Sequence, residues 1–129
     1  MKKIVYPLAL LTSLLMLMPS CQESLEERAQ RQAMDYTRKY CPTPERNYIR
    51  TDSLVFDRRK KVYLYYISFT DKLDDQEIVD QNKDKLRDIL FKSVRESASL
   101  KKFVEAGFRF EYVCHSGSNP QHVLARFSI

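Results

Sequence analysis

The fold of this chain is decided by residues 62–69, which read Val62-Tyr63-Leu64-Tyr65-Tyr66-Ile67-Ser68-Phe69. Aromatic and β-branched residues dominate the stretch, and this composition is typical of a β-strand. Side chains alternate between the two faces of a strand, and both sets here are mainly apolar. A strand that is apolar on both faces is predicted to lie in the middle of a sheet, or to have a further element covering one face.

The sequence around this strand predicts a helix followed by a hairpin, twice over. An apolar stripe with spacings of three and four indicates a first helix over residues 24–40, which Cys41-Pro42 ends. Strands are predicted over 48–56 and 62–69, a longer helix over 76–97, and a last hairpin around the Ser116–Pro120 turn. We therefore predict an α+β fold, in which two consecutive helix–hairpin units form a four-stranded antiparallel sheet with the helices packed on one face.

The last hairpin has a predicted register. With His115 opposite His122, the apolar residues from Phe108 to Cys114 meet apolar partners, and Glu111 lies opposite Arg126. Matching apolar and charged partners is how register is normally specified, so we expect this pairing.

The N-terminal segment is predicted to be a signal peptide over residues 1–20. Lys2 and Lys3 precede an apolar run from Ile4 to Met18, and Ser20-Cys21 follows in the manner of a bacterial lipobox. The apolar run is shorter than the roughly 20 residues that a membrane-spanning helix needs. We expect cleavage before Cys21 and acylation of its thiol, for example with palmitate. A soluble exported form with an unmodified Cys21 is the alternative.

These features predict an exported protein, lipid-anchored in the cell envelope, with one domain over residues 21–129. Gln22 is not the aspartate that resembles an inner-membrane retention signal, so the outer membrane is favoured. Without Lys2 and Lys3, 20 basic residues face 17 acidic residues. The basic run from Arg58 to Lys61 falls in a predicted turn, where charge is normally solvated, and we expect no nucleic-acid partner.

The remaining cysteines and the histidines allow more than one interpretation. Cys41 and Cys114 either form a disulfide in an oxidising compartment or are two separate buried thiols. His115 and His122 are weak candidates for a metal, because two ligands do not complete a zinc site. We expect them to be exposed residues at the end of the hairpin.

No catalytic motif is evident in the sequence. It contains no GxSxG, P-loop or HExxH pattern, and only two glycines. We therefore expect a non-enzymatic domain with no cofactor. Tyrosine suits partner surfaces, so one face of the central strand, with either Tyr63 and Tyr65 or Leu64 and Tyr66, is a candidate partner surface. The alternative is that these rings simply cover a small core.

The chain resembles small uncharacterised lipoproteins of Bacteroides-type bacteria. The resemblance rests on Cys21, on the helix ending at Cys41-Pro42, and on the segments 51–54, 63–66 and 103–112. The doubled helix–hairpin also resembles, more weakly, PepSY-type and β-lactamase-inhibitor-protein-type domains. We expect a binding or accessory module for a protein or glycan partner; the alternatives are a metal-binding protein using His115 and His122, or an inhibitor-type domain.

Overall fold

The computed structural model describes residues 22–129, so the predicted signal peptide and the lipid attachment at Cys21 lie outside the described residues. A 3-10 turn, Asp71–Leu73, follows the second strand. The helices are α1 (Leu25–Tyr40), α2 (Gln76–Gln81), α3 (Lys83–Glu96) and α4 (Lys101–Glu105), and the strands are β1 (Ile49–Asp57), β2 (Val62–Phe69), β3 (Arg109–Ser116) and β4 (Val123–Ser128).

The predicted α+β class is confirmed. The four strands form one sheet in the order β1-β2-β3-β4, so β2 is an interior strand. Its observed bounds, Val62–Phe69, are those that the sequence predicts. The prediction that this strand lies in the middle of the sheet is therefore confirmed.

The sheet is mixed, and the prediction of a purely antiparallel sheet was wrong. β1 and β2 form an antiparallel hairpin, as do β3 and β4, but β2 and β3 run parallel. The connection between β2 and β3 contains three helices, and it returns the chain to the end of the sheet where β2 begins. There the Arg109 amide donates to the Lys61 carbonyl oxygen at 3.0 Å. A crossover of this length is what parallel neighbours require.

The arrangement as two consecutive helix–hairpin units is not confirmed. The single helix predicted over 76–97 is divided at Asn82 into α2 and α3. The Asp75 carboxylate caps α2 by accepting hydrogen bonds from the backbone amides of Glu77 and Ile78. Its negative charge also complements the dipole of the helix.

The predicted register of the last hairpin was wrong by two residues. Tyr112 pairs with Phe127 and Cys114 with Ala125, after which an irregularity shifts the pairing so that His115 lies opposite Val123. Glu111 lies opposite Ser128 instead of Arg126. A slip of two residues leaves every side chain on its original face, so the alternation of apolar residues cannot detect it.

The helices lie against one face of the sheet. The Tyr63 hydroxyl donates to the Ala29 carbonyl of α1, and the Tyr112 hydroxyl donates to the Leu90 carbonyl of α3. Ala29 is completely buried, and so is Ala33 one turn later in the same helix. Small side chains let α1 approach the sheet closely, which leaves the core volume to the aromatic side chains of the strands.

Candidate binding cleft

An open cleft of about 390 Å³ lies between α1 and α3. α1 packs over β1 and is bonded to Tyr63 of β2, whereas α3 is bonded to Tyr112 of β3, and the cleft lies between the two helices. The facing positions of α3 and the turn after it are Ser93, Ser97 and Ser99, which are too small to fill the gap. The remaining lining consists of Gln32, Asp35, Tyr36, Lys39, Tyr40, Leu54, Tyr63, Tyr65, Val94 and Leu100.

Tyr65 forms the floor of this cleft. Its ring stacks on that of Tyr112, with 4.5 Å between the centroids and an interplanar angle of 17°. Burial, with the neighbouring phenol of Tyr112, raises the pKa of Tyr65 well above its ordinary value. Its hydroxyl makes no hydrogen bond within residues 22–129, whereas the hydroxyls of Tyr63 and Tyr112 both donate to helix carbonyls. A ligand in the cleft would therefore find one phenol oxygen available.

Tyr36 and Tyr40 form the α1 rim of the cleft. Their ring centroids are 5.3 Å apart, as expected for aromatic residues at i and i+4, and their exposed fractions are 38% and 60%. The sequence places both tyrosines in the apolar stripe of α1. In the structure only Ala29 and Ala33 in the middle of that stripe are buried, and Tyr36 and Tyr40 at its end are exposed.

The predicted partner surface is only partly accessible. Tyr63 is completely buried, so it contributes to the core and cannot meet a partner. Tyr65 lines the cleft from the same face of β2. Leu64 and Tyr66 lie on the opposite face, partly exposed and outside the buried cluster that the helices share with the sheet. Sequence reasoning missed Tyr36 and Tyr40 as site residues, although tyrosines in place of aliphatic residues in that stripe were a signal.

The face of Leu64 and Tyr66 also carries a polar cluster. The Asp52 carboxylate accepts hydrogen bonds from Arg50 and from the Ser68 hydroxyl. His115, the neighbour of Ser68 on β3, stacks on the ring of Tyr66 with 6.1 Å between the centroids. Since the carboxylate binds the hydroxyl and the guanidinium instead of the imidazole, these residues are not arranged as a nucleophile with its base.

His115 and His122 do not face each other. His115 lies opposite Val123 on the face away from the helices, whereas Nε2 of His122 is 3.1 Å from the Gln76 side-chain oxygen of α2. The two rings therefore point to different sides of the hairpin, which does not bring them to one metal ion. Within residues 22–129 no group of three or more His, Cys, Asp or Glu side chains is placed to hold a metal.

Cys41 and Cys114 are free thiols in the structure. Cys41 follows α1 beside β1, and Cys114 is completely buried on β3, with β2 between these strands. Burial raises the pKa of the Cys114 thiol to about 12, and a thiol held protonated is a poor nucleophile.

The chain is an α+β protein with a mixed sheet and a cleft between two of its helices. The chain belongs to the family described as a domain of unknown function, DUF8479, whose model matches residues 24–125. No curated protein matches the sequence. Within residues 22–129, the helices are too short or too polar for any of them to cross a bilayer.

Two solved structures have a similar fold. One is a protein of Pseudomonas aeruginosa that is described as secreted, with a TM-score of 0.62, 13% identity, and coverage of 84% of this chain and 95% of that chain. The other is the pilotin EpsS of the Vibrio vulnificus type 2 secretion system, with a TM-score of 0.60, 9% identity, and coverage of 81% and 86%. At these identities the likeness shows a shared fold.

Proposed function

We propose that this chain is an exported, lipid-anchored accessory module of the cell envelope that binds an apolar segment of a protein partner in the α1–α3 cleft. The observation that carries the proposal is the cleft itself, with tyrosines on its floor and rim and a Tyr65 phenol oxygen that has no hydrogen bond within residues 22–129. The proposed role is non-catalytic, and the proposed anchor is the acylated thiol of Cys21 in the outer membrane.

The structural neighbours support export and an accessory role. One is described as secreted, and the other is a pilotin of a secretion system. Together with the lipobox-like sequence before Cys21, they favour the envelope as the location of this domain.

The chemistry of the cleft favours a protein segment over a glycan. Its lining is mainly apolar, from Leu54, Leu100 and the tyrosine rings, and the α1 side adds the polar side chains of Gln32, Asp35 and Lys39. The Asp35 carboxylate at the rim is already paired with Arg38 at 3.0 Å. A segment with apolar side chains and a single polar group for Tyr65 matches this distribution, because buried apolar anchors and a polar border are typical of protein recognition.

Site-specific photo-crosslinking tests the proposal. A photoreactive phenylalanine analogue in place of Tyr40 at the cleft rim should crosslink one envelope protein in cells, through one segment. The same analogue in place of Tyr48, which is similarly aromatic and exposed but lies outside the cleft, serves as the matched control. The segment is then synthesised as a peptide, and its affinity is measured by calorimetry.

The proposal requires that Tyr40→Glu weakens peptide binding at least about tenfold, while Tyr48→Glu leaves it unchanged, since a buried charge is costly only inside the interface. Equal crosslinking from both positions would overturn it. Binding of cell-wall oligosaccharides that Tyr40→Glu abolishes, with no peptide binding, would assign the cleft to a glycan instead.

A further inference from the structure

The basic turn between β1 and β2 is the most concentrated charge in the described residues. Arg58, Arg59, Lys60 and Lys61 are consecutive and all exposed. The Asp57 carboxylate accepts the amides of Arg59 and Lys60, and Lys61 adopts a left-handed conformation with φ of 55°. This turn geometry fixes the backbone, and all four side chains remain accessible to solvent.

The basic turn lies beside the first turn of α1. Nζ of Lys61 is 3.5 Å from the Glu26 carboxylate, and Arg58 is 3.9 Å from that of Glu27. Arg59 and Lys60 form no ion pair within residues 22–129. Arg109, which is also exposed, extends this basic end at the start of β3, although Glu111 neutralises it.

The position of the turn relative to Cys21 suggests its partner. Only three residues, 22–24, separate Cys21 from α1. Even fully extended they span about 10 Å. A membrane that holds an acylated Cys21 would therefore lie close to this end of the domain, within reach of long arginine and lysine side chains.

We propose that the basic turn binds the anionic headgroups of the membrane surface and holds the domain in one orientation on it. The orientation rests on the proposed anchor at Cys21, but the attraction between the turn and anionic lipid does not require acylation. A single acyl chain gives only marginal binding, and a basic patch is a common second contribution. In this orientation the α1 rim of the cleft, which begins at Gln32, lies about 10 Å further along the helix from the membrane.

Vesicle co-sedimentation of the chain from Gln22 to Ile129 tests the proposal without the anchor. All the helices and strands and the whole buried cluster of the described structure fall within this range, and circular dichroism checks that each variant is folded. The probes are phosphatidylcholine vesicles with and without phosphatidylglycerol. The chain should bind only the anionic vesicles, and added salt should release it, because salt screens exposed charges.

Two double variants that lose the same charge distinguish binding through the basic turn from general attraction of a basic protein to anionic vesicles. Arg59→Gln with Lys60→Gln removes charge from the turn, and Arg46→Gln with Lys72→Gln removes as much from exposed positions at the opposite end of the sheet. The turn variant should bind anionic vesicles at least about tenfold more weakly, because each basic residue near such a surface contributes several-fold to partitioning. The control variant should lose less than about twofold.

Equal losses in the two double variants, or full binding by the turn variant, would overturn the proposal. A different result would assign the turn to a protein partner. In that case the unmodified chain binds no vesicles, but it binds a protein that the turn variant does not bind. Tyr40→Glu distinguishes the two proposals, since it should leave vesicle binding unchanged and affect only the cleft.

Discussion

The hydroxyl of Tyr63 donates a hydrogen bond to the carbonyl oxygen of Ala29 at 3.1 Å, and this bond joins the central strand to α1 inside the core. Tyr65, two residues later on the same face, has no such bond within the described residues. The two tyrosines on this strand face therefore differ in their surroundings, because Tyr63 is bonded to the helix and Tyr65 lines the cleft.

Removing each hydroxyl should have different effects on stability. Tyr63→Phe should lower the free energy of unfolding by about 1 kcal/mol, the usual contribution of a buried hydrogen bond. Tyr65→Phe should change it by less than about 0.5 kcal/mol, because no internal bond is lost. Urea unfolding followed by circular dichroism measures both values. Equal losses in the two variants would show that the Tyr65 hydroxyl has an internal partner.

The sequence predicts the bounds of individual helices and strands better than it predicts how the strands are arranged. The bounds of β2 follow from local composition, and the end of α1 at Tyr40 follows from the proline after Cys41; the structure reproduces both. The direction of β3 relative to β2 does not follow from local composition, because it depends on the end of the sheet to which the crossover between Thr70 and Phe108 returns the chain. Register is also ambiguous, since a shift of two residues keeps Phe110 and Tyr112 facing the core.

The cleft is only partly predictable from the sequence, because it depends on how two helices are placed in the tertiary structure. The face of β2 that carries Tyr65 was a candidate partner surface, because tyrosine-rich strands often meet partners. The exposed Tyr36 and Tyr40 line the cleft because α1 lies beside Ser93 and Ser97, which are far apart from them in the sequence. Helix orientation is a tertiary property that the apolar stripe of α1 does not encode.

Gly117→Ala should disturb the junction between the last hairpin and β2. The Gly117 amide donates to the Phe69 carbonyl at 2.8 Å, and an added Cβ would lie 2.9 Å from the same oxygen. Because this contact is with backbone, the hairpin must shift, at a cost of about 1–3 kcal/mol. Thermal unfolding gives the loss, and amide exchange should accelerate at residue 117.

Thr70→Ser provides a control for this prediction. The added Cβ would also lie 3.1 Å from the Thr70 methyl group, so removing that methyl relieves one of the two contacts. Combined with Gly117→Ala it should recover little stability if the carbonyl is the main obstacle. Full recovery would identify the methyl group as the cause.

Asp74 should hold the turn of the last hairpin through its ionised form. Its carboxylate accepts the Ser118 hydroxyl at 2.7 Å and the Ser118 amide at 3.0 Å. Hydrogen bonds from Ser116 and Ser118 lower the pKa of Asp74 below its ordinary value. The stabilisation is therefore present above the unfolded pKa of about 3.9 and is lost as pH falls through the lower folded value.

The amide shift of Ser118, followed by NMR during acid titration, should report this ionisation with a midpoint below about 3.9. Asp74→Asn should abolish that titration while the rest of the spectrum is retained. A midpoint at or above the ordinary value would contradict the assignment of Asp74 as the partner that orders the turn.

Alkaline pH should destabilise the fold in steps that follow its buried acids. Burial raises the pKa of Cys114 and that of Tyr112 to about 12, so both stay protonated in the folded chain while their unfolded counterparts ionise near about 8.5 and 10. The folded state then binds more protons, and the free energy of unfolding falls as pH rises, by at most about 1.4 kcal/mol per pH unit for each group.

Urea unfolding from pH 7 to 11 should show a first decline in the free energy of unfolding that begins near the pKa of an unfolded thiol. In Cys114→Ala, whose packing loss is independent of pH, most of that first decline should disappear and the onset should move towards the phenol value. An unchanged onset in the variant would show that Cys114 is not the group responsible.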